Sequence, residues 1–289
     1  MDAFVLLGSF IALILIGMPV AFTLSVAGIL GIIQFVDVSF LSQVPVIAYK
    51  TLDSYVLTSV PLYILMSQIM LTGKVGSGLF ELGSKWMGHL PGGLGIATIF
   101  ACAIFAAISG SSVATAVTIG AMAIPEMLKR GYDRKLVVGS VAAGGTLGIL
   151  IPPSNPMLVY GIIANVSISA LFTAGFVPGA LVGTCLMFTA YTIARRHGYK
   201  GTMHSYTMAE FGRALLKNIW SLMAPVVILG GIYAGICTPV EASVVAVWYA
   251  LFVGFFITKK LSLKEVFNAM KLANISTGTI LIVVGVSTI

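Results

Sequence analysis

The sequence has very little charge, since only 9% of its 289 residues are Asp, Glu, Lys or Arg while 58% are hydrophobic. Its mean hydropathy of +1.06 is too high for a soluble globular domain of this length, which excludes that class. Strict alternation of apolar and polar residues is also missing, which excludes the strands of a membrane β-barrel. The composition therefore predicts an all-α polytopic membrane protein.

Cysteine is scarce as well. The three present, Cys102, Cys185 and Cys237, have no metal-ligand spacing and lie in or beside apolar runs, so we interpret them as packing residues without a redox role.

The net charge of +7 raises the question of nucleic acid as a partner. Because Lys and Arg cluster in short loops, as the positive-inside rule demands, we expect membrane lipid around this chain and no nucleic acid.

Ionisable residues are absent from the middle of every apolar run. Glu241 comes closest, but Thr238-Pro239-Val240-Glu241 fits a capping box, in which the Glu bonds back to the residue that precedes the helix. Proton coupling usually runs through intramembrane acids or histidines. Their absence favours a metal cation such as Na+ as the coupling ion, with no organic cofactor.

The sequence predicts an internal repeat that relates its two ends. Met18-Pro19-Val20-Ala21 matches Thr238-Pro239-Val240-Glu241 at one constant offset, and Phe40-Leu41-Ser42 matches Lys260-Leu261-Ser262 at the same offset. The match predicts two short helices that meet at Pro19 and two that meet at Pro239. Repeats of equal length predict a protein of roughly 430 residues, of which this sequence is an N-terminal piece that lacks the second hairpin.

Loop charges predict the orientation of the helices. Segment 37–53 has only Lys50 and should face the outside, whereas four segments with more Lys and Arg should face the cytoplasm. For two of these to share a side, residues 92–128 must form a re-entrant helical hairpin. The N-terminus then lies outside, in the periplasm if the membrane is a bacterial inner membrane. Pro19 and Pro239 lie on opposite faces, which is the mark of an inverted-topology repeat typical of secondary transporters. The four basic segments are 74–89, 126–135, 195–217 and 259–271.

These assignments divide the chain into four parts. Amphipathic stretches at 77–87 and 208–217 are predicted to lie in the cytoplasmic interface. The parts are 1–91, scaffold helices of the first repeat with an interfacial arm helix; 92–166, a transport part with the hairpin 92–128 and a broken helix 135–166; 167–218, a helix and cytoplasmic arm that close the first repeat; and 219–289, the start of the inverted second repeat.

The predicted hairpin tip reads Ser109-Gly110-Ser111-Ser112, with Thr115 one turn later. Non-helical backbone at membrane depth is tolerated only where it is buried in protein or lines a cavity. Such a four-residue turn supplies carbonyl and hydroxyl oxygens for a hard cation, and the helix that begins there can face an anion with its amides. Ser109 and Thr115 can equally serve packing, by bonding to their own helix.

A second break follows at Pro152-Pro153-Ser154-Asn155-Pro156, because proline removes a backbone donor and clashes with the preceding turn. Val137–Ile151 and Met157–Ile163 are predicted to be two half-helices of one span. Freed carbonyls and the side chains of Ser154 and Asn155 could complete a cation site opposite the hairpin tip. Four glycines of the first half, Gly139, Gly144, Gly145 and Gly148, are predicted to let neighbouring helices pack closely.

Three motifs, in order, resemble those of a known family: the tip from Ala107 to Ala116, IPPSNP at 151–156, and GIYAGICTPVEA at 231–242. Over its whole length the chain looks like the large permease subunit of tripartite ATP-independent periplasmic (TRAP) transporters. The resemblance implies an inverted-repeat, elevator-type Na+ symporter of organic acids, such as C4-dicarboxylates or sialic acid, in the bacterial inner membrane.

The resemblance also implies partners and site residues. The partners are a small membrane subunit and a periplasmic substrate-binding protein that delivers the organic acid. The implied Na+ and substrate positions are Ser109, Gly110, Ser111, Ser112, Ser154 and Asn155, with Ser112, Thr115, Pro153 and Asn155 also assigned to the substrate.

Two other functions remain open. A passive channel would differ by failing to accumulate its solute against a gradient. An intramembrane serine hydrolase would use Ser111 or Ser112, but it needs a base, and the three histidines lie in predicted cytoplasmic loops. The segment Gly110–Ala114 also lacks the closing glycine of a nucleophile elbow. The histidines are His89, His197 and His204.

Overall fold

The structure is a computed structural model that describes residues 2–199, 201 and 207–287. Every regular element of these residues is helical, which confirms the all-α class. The helices are α1 (Asp2–Leu15), α2 (Val20–Phe35), α3 (Val44–Leu52), α4 (Ser59–Thr72), α5 (Leu79–Met87), α6 (Gly93–Ser109), α7 (Ser112–Lys129), α8 (Arg134–Gly145), α9 (Leu147–Leu150), α10 (Asn155–Ile163), α11 (Ile168–Arg196), α12 (Met208–Lys217), α13 (Ile219–Tyr233), α14 (Pro239–Phe252) and α15 (Leu263–Val286). Short 3-10 segments lie at Val38–Gln43, Tyr55–Thr58 and Val75–Gly78, and α14 continues as a π-helical turn at Val253–Ile257.

Several helical stretches are long and apolar enough to cross a bilayer, which takes roughly 20 residues. Among the described residues five meet this criterion, and the bent pair Glu210–Lys217 with Ile219–Tyr233, at 54°, can be counted as a sixth. The length and composition of these helices agree with a polytopic membrane protein. The five are Tyr55–Thr72, Arg134–Ile163, Ile168–Arg196, Pro239–Ile257 and Leu263–Val286.

The chain divides into two compact units. The smaller comprises the described residues of Met1–Thr58 and Asn274–Ile289. Within it α1 and α2 pack closely, because a Cβ added to Gly31 would lie 2.7 Å from Leu6 Cδ2. The end of α15 approaches α3, where a Cβ on Gly285 would lie 3.2 Å from Leu52 Cδ1.

The larger unit, Ser59–Ala273, is built around α6. This helix is apolar on all sides and buried over nearly its whole length, as expected for a helix surrounded by others. Helices α5, α7, α8 and α11 pack against it. The C-terminal end of α6 at Ser109, where the predicted hairpin turns, is therefore buried within this unit.

The two predicted amphipathic stretches form helices α5 and α12, and they contact each other. Trp86 of α5 lies 5.7 Å from Phe211 of α12, measured between ring centroids. Glu81 forms ion pairs with Lys85 at 2.9 Å and with Lys217 of α12 at 3.5 Å. The sequence predicted both helices, but it did not predict that they pair.

The two predicted proline junctions are confirmed as helix boundaries. Pro19 directly precedes α2. Thr238 caps α14 in a capping box, in which its backbone amide donates to Glu241 Oε2 at 2.8 Å and the Glu241 amide donates to Thr238 Oγ1 at 3.3 Å. The interpretation of Glu241 as a capping residue is therefore confirmed. The inverted orientation of the repeat, the re-entrant path of the hairpin and the four-part division of the chain stay predictions.

Several predicted boundaries are wrong by a few residues. The second half of the broken span begins at Asn155 and not at Met157, because Ser154 caps the helix and proline is well tolerated in the first turn. The hairpin turn is two residues long, not four, because Ser109 ends α6 and Ser112 begins α7. Lys264 and Lys271 belong to α15, and not to a loop.

Two packing predictions also need correction. Cys102 is buried, with its Sγ 3.0 Å from the position of a Cβ on Gly144, but Cys185 is exposed on α11. Gly144, Gly145 and Gly148 lie in close helix contacts as predicted, whereas a Cβ on Gly139 would meet nothing within 4 Å. Gly139 borders open space and does not serve close packing within the described residues. His204 lies outside the described residues.

Candidate cation and substrate site

The hairpin tip consists of two residues between α6 and α7. Gly110 adopts a left-handed conformation with φ of +59°, and its amide donates to the Ala106 carbonyl at 2.9 Å, which ends α6. Ser111 caps α7, since its Oγ accepts from the Ala114 amide at 3.4 Å. A glycine that stops one helix and a serine that starts the next explain why the chain reverses here.

The break in the second span is likewise formed by residues that end one helix and a serine that caps the next. The Ile151 amide makes the last bond of the first half, to the Leu147 carbonyl at 2.9 Å, and Pro152 and Pro153 have no amide hydrogen to continue it. The Pro152–Pro153 peptide is cis. Ser154 then caps α10, because its Oγ accepts from the Met157 amide at 3.5 Å and donates to the Ile149 carbonyl at 2.8 Å.

The tip and the break contact each other directly. The Asn155 amide donates to the Gly110 carbonyl at 3.3 Å. A Cβ on Gly110 would lie 2.7 Å from the Pro153 carbonyl oxygen, so no larger residue fits there without movement. Gly110, Pro153 and Asn155, which the sequence assigned to one site from two separate motifs, are thus brought together.

The first half of the broken span also touches the tip. A Cβ on Gly148 would lie 2.6 Å from the Ser111 carbonyl oxygen and 2.7 Å from the Ser112 nitrogen. A Cβ on Gly145 would lie 2.8 Å from Ala116 Cβ. The sequence predicted close packing for these glycines but not their neighbours, since the spacing of glycines in one helix does not reveal which helix approaches it.

Three of the proposed hydroxyl ligands have partners within the protein. Ser109 and Thr115 are buried, and their hydroxyl oxygens lie 2.8 Å apart. Thr115 Oγ1 also donates to the Ser111 carbonyl at 2.8 Å. Ser154 is 1% exposed and bonded on both sides of the break. These hydroxyls hold the turn and the cap in shape, which supports the packing alternative for Ser109 and Thr115.

Other polar groups at the same place have no such partner. Among the described residues, no hydrogen bond involves the side chains of Asn155 or Ser112, the amides of Ser112 and Val113, or the carbonyl of Pro153. Asn155 and Ser112 are each partly exposed. These groups can therefore accept or donate bonds to a ligand without breaking an internal contact.

Helix ends give the site its electrostatic character. The N-termini of α7 and α10 supply partial positive charge, and the C-termini of α6 and α9 supply partial negative charge from free carbonyls. Because Gly110 and Asn155 are in contact, all four ends lie close together. Such an arrangement can bind a cation through carbonyl oxygens and an anionic group through amides.

Other chemistries find little support in the part of the chain that the structure describes. It contains no group of three or more His, Cys, Asp or Glu side chains that could hold a metal ion. The hydroxyls of Ser111 and Ser112 make no hydrogen bond to a described histidine, and the His197 Nδ1 lies 2.9 Å from the Ile193 carbonyl. A cation at the helix ends would therefore be bound by uncharged oxygens.

Interrupted helices that meet inside an apolar helical chain are typical of membrane transport proteins. The chain belongs to the family described as the tripartite ATP-independent periplasmic transporter, DctM component, whose model matches residues 7–289. The resemblance carried by the three motifs is thereby confirmed. A member with these apolar helices is a multi-pass protein of the bacterial inner membrane.

Three curated relatives support the same family assignment. The isethionate TRAP transporter permease protein DctMQ of Oleidesulfovibrio alaskensis is 37% identical over 99% of this chain and 45% of its own length. The C4-dicarboxylate large permease protein DctM of Rhodobacter capsulatus is 35% identical over 92% of this chain and 63% of its own length. The sialic acid TRAP transporter permease protein SiaT of Haemophilus influenzae is 38% identical over 81% of this chain and 38% of its own length. These relatives are transporter permeases, not enzymes.

The chain spans between 38% and 63% of the length of these three relatives.

Proposed function

We propose that this chain takes part in Na+-coupled import of an organic acid. The observation that carries the proposal is the contact between the hairpin tip and the helix break, where the Asn155 amide bonds to the Gly110 carbonyl at 3.3 Å. Around this bond lie the side chains of Asn155 and Ser112 and the carbonyl of Pro153, which have no hydrogen-bond partner within the described part of the chain. They supply neutral oxygen ligands of the kind that hard cations prefer.

Na+ suits this environment better than a proton as the coupling ion. No Asp, Glu, Lys, Arg or His occurs between residues 104 and 123 or between residues 140 and 163. A proton would need a titratable side chain there, whereas Na+ needs only carbonyl, hydroxyl and amide oxygens. The free helix ends supply such oxygens without any buried charge.

The substrate of this proposal carries a carboxylate or a similar anionic group. The amides of Ser112 and Val113 open the helix α7 without a partner among the described residues, and the N-terminal end of a helix favours negative charge. The relatives are named for isethionate, C4-dicarboxylate and sialic acid, which are all organic acids. Ser112, Pro153 and Asn155 are the proposed substrate-side positions, and the buried Thr115 supports the turn that carries Ser112.

The proposal includes the rest of the assembly. A second, inverted repeat would supply the other half of the site, and the part 92–166 would move as an elevator against the scaffold helices. A periplasmic binding protein would deliver the acid, and a small membrane subunit would accompany the permease; one relative is named DctMQ. The basic segments favour a periplasmic N-terminus.

Uptake into proteoliposomes tests the proposal. The transporter that contains this chain, with its binding protein, is given a radiolabelled organic acid and an imposed gradient of Na+, K+ or protons. Accumulation above the external concentration in the Na+ gradient alone supports the proposal. Accumulation in the proton gradient alone contradicts the choice of ion, and equilibration without accumulation identifies a passive channel.

A further inference from the structure

A cavity of about 380 Å³ lies between α8 and α11, away from the hairpin tip. Its wall is mainly apolar, and Ile99 of α6 contributes to it. Gly139 borders the cavity, and a Cβ at that position would meet no atom of a described residue within 4 Å. The remaining apolar wall residues are Leu136, Ala143, Leu186, Ala190 and Ile193.

Polar side chains line one end of this cavity. Asp133 and Tyr199 are already engaged, since the Asp133 carboxylate accepts from the Lys135 amide at 3.0 Å and the Asp133 amide donates to the Tyr199 hydroxyl at 2.8 Å. Tyr199 also stacks on Tyr132, with ring centroids 4.7 Å apart. Lys135 and His197 also line this end.

The part of the wall formed by Asp133, Lys135, His197 and Tyr199 lies at the most basic end of these helices. Of the two acids there, Glu126 pairs with Arg130 at 3.0 Å and Asp133 caps α8. In the described part of the chain no ion pair involves Lys135 or the two arginines at the end of α11. The basic residues of this end are Lys129, Arg130, Arg134, Lys135, Arg195 and Arg196.

Ser140 provides an independent observation. It lines the cavity, is only 5% exposed, and its hydroxyl has no hydrogen-bond partner among the described residues. A serine within a membrane helix commonly bonds back to a carbonyl of its own helix, as Thr98 does to Leu94 at 2.8 Å. A buried hydroxyl without a partner costs free energy, so a polar atom within the cavity is expected beside Ser140.

We propose that this cavity binds an anionic phospholipid. The apolar wall would cover part of an acyl chain, the polar ester region would lie near Ser140, and the phosphate would lie beside Lys135 at the basic end. Basic pockets between membrane helices bind anionic lipid head groups in this way. A small hydrated anion would leave the apolar wall uncovered, and an α-helix of about 10 Å diameter is too wide for a cavity of this volume.

Native mass spectrometry of the intact transporter tests this proposal without any transport assay. The protein is reconstituted in nanodiscs of phosphatidylcholine and phosphatidylglycerol in equal amounts, released into detergent, and weighed. We expect retention of phosphatidylglycerol in preference to phosphatidylcholine. Lys135→Gln should weaken this retention about fivefold, the effect expected for one basic residue near a lipid phosphate.

Gly139→Leu should fill the cavity and remove the bound lipid, while Gly8→Leu is the matched control, because Gly8 is also helical with nothing within 4 Å. Equal retention of both lipids would overturn the proposal, as would unchanged retention in Gly139→Leu. Displacement of the lipid by inorganic phosphate alone would identify a soluble anion as the ligand. Lys135→Gln changes an exposed residue, so it tests the proposal even if Gly139→Leu does not fold.

Discussion

The backbone amide of Asn155 donates a hydrogen bond to the carbonyl of Gly110 at 3.3 Å and thereby joins the first turn of α10 to the tip between α6 and α7. Neither residue belongs to the middle of a helix, so each leaves backbone groups free that a continuous helix would use. One short contact therefore brings four helix ends together without any buried charge.

Gly110→Ala should disrupt this contact. The left-handed backbone costs an alanine roughly 1–2 kcal/mol, and its Cβ would also collide with the Pro153 carbonyl oxygen. We expect Na+-driven uptake to fall about tenfold or more at equal membrane abundance. Gly131→Ala is the matched control, because Gly131 has φ of +77° but nothing within 4 Å, and it should transport nearly normally. Equal loss in both variants would mean that backbone strain alone, and not the contact, is responsible.

Asn155→Ala should abolish uptake and leave membrane abundance nearly unchanged. The Asn155 side chain bonds to no described residue, so its removal leaves no buried partner unpaired, while a ligand bond worth about 1.5–3 kcal/mol is lost. Asn218→Ala should lower membrane abundance and leave uptake per molecule nearly unchanged. The side-chain amide of the buried Asn218 donates to the Ala214 carbonyl at 2.9 Å, and its loss removes an internal bond outside the site. Uptake and immunoblots of membranes measure both effects, and normal uptake by Asn155→Ala would remove that residue from the site.

Glu241→Ala separates capping from ion coupling. Loss of the capping box should destabilise the protein slightly, seen as a lower Tm. The Na+ concentration that gives half-maximal uptake should not change, since the Glu241 carboxylate bonds to Thr238. A shift of that concentration with an unchanged Tm would show that Glu241 belongs to the coupling pathway instead.

The two ion pairs of Glu81, with Lys85 in α5 and with Lys217 in α12, should respond to acid and to salt. The hydrogen bond from Lys85 lowers the pKa of Glu81, and the charges of Lys85 and Lys217 act in the same direction. A carboxyl group with a lowered pKa stabilises the folded state above its ordinary pKa of about 4.3, and this contribution is lost as pH falls through the lowered value.

Glu81 is partly exposed, so each of these pairs is worth less than about 1 kcal/mol. We expect Glu81→Gln to lower the Tm slightly near neutral pH and at low salt. The difference from the unmodified protein should disappear in acid and in molar salt. A difference that persists under both conditions would point to packing of the side chain and not to its charge.

Local residue patterns predicted the elements that form the site. Gly110 between serines indicated a helix reversal, the prolines from Pro152 to Pro156 indicated a break, and Thr238 with Glu241 indicated a capping box. Each of these signals depends on backbone chemistry within a few residues, which a sequence displays directly. The start of α10 was misplaced because Pro156 in the first turn reads as a break although it is compatible with a helix.

Contacts between distant helices could not be predicted in the same way. Gly148 against Ser111, Glu81 against Lys217, and the open space beside Gly139 depend on how helices pack in three dimensions. Glycines spaced along α8 and α9 look alike in sequence, although one touches the hairpin tip and another borders a cavity. Packing partners follow from the tertiary arrangement, which one sequence alone does not specify.

Hydrogen–deuterium exchange of the purified transporter in Na+ and in equal K+ tests the proposed site most directly. If the helix ends bind Na+, amide exchange should slow in Na+ at both the tip, 109–113, and the break, 151–157, and Gly110→Ala should abolish both effects. Slower exchange at only one of the two segments, or equal exchange in the two salts, would contradict a cation site shared by the tip and the break.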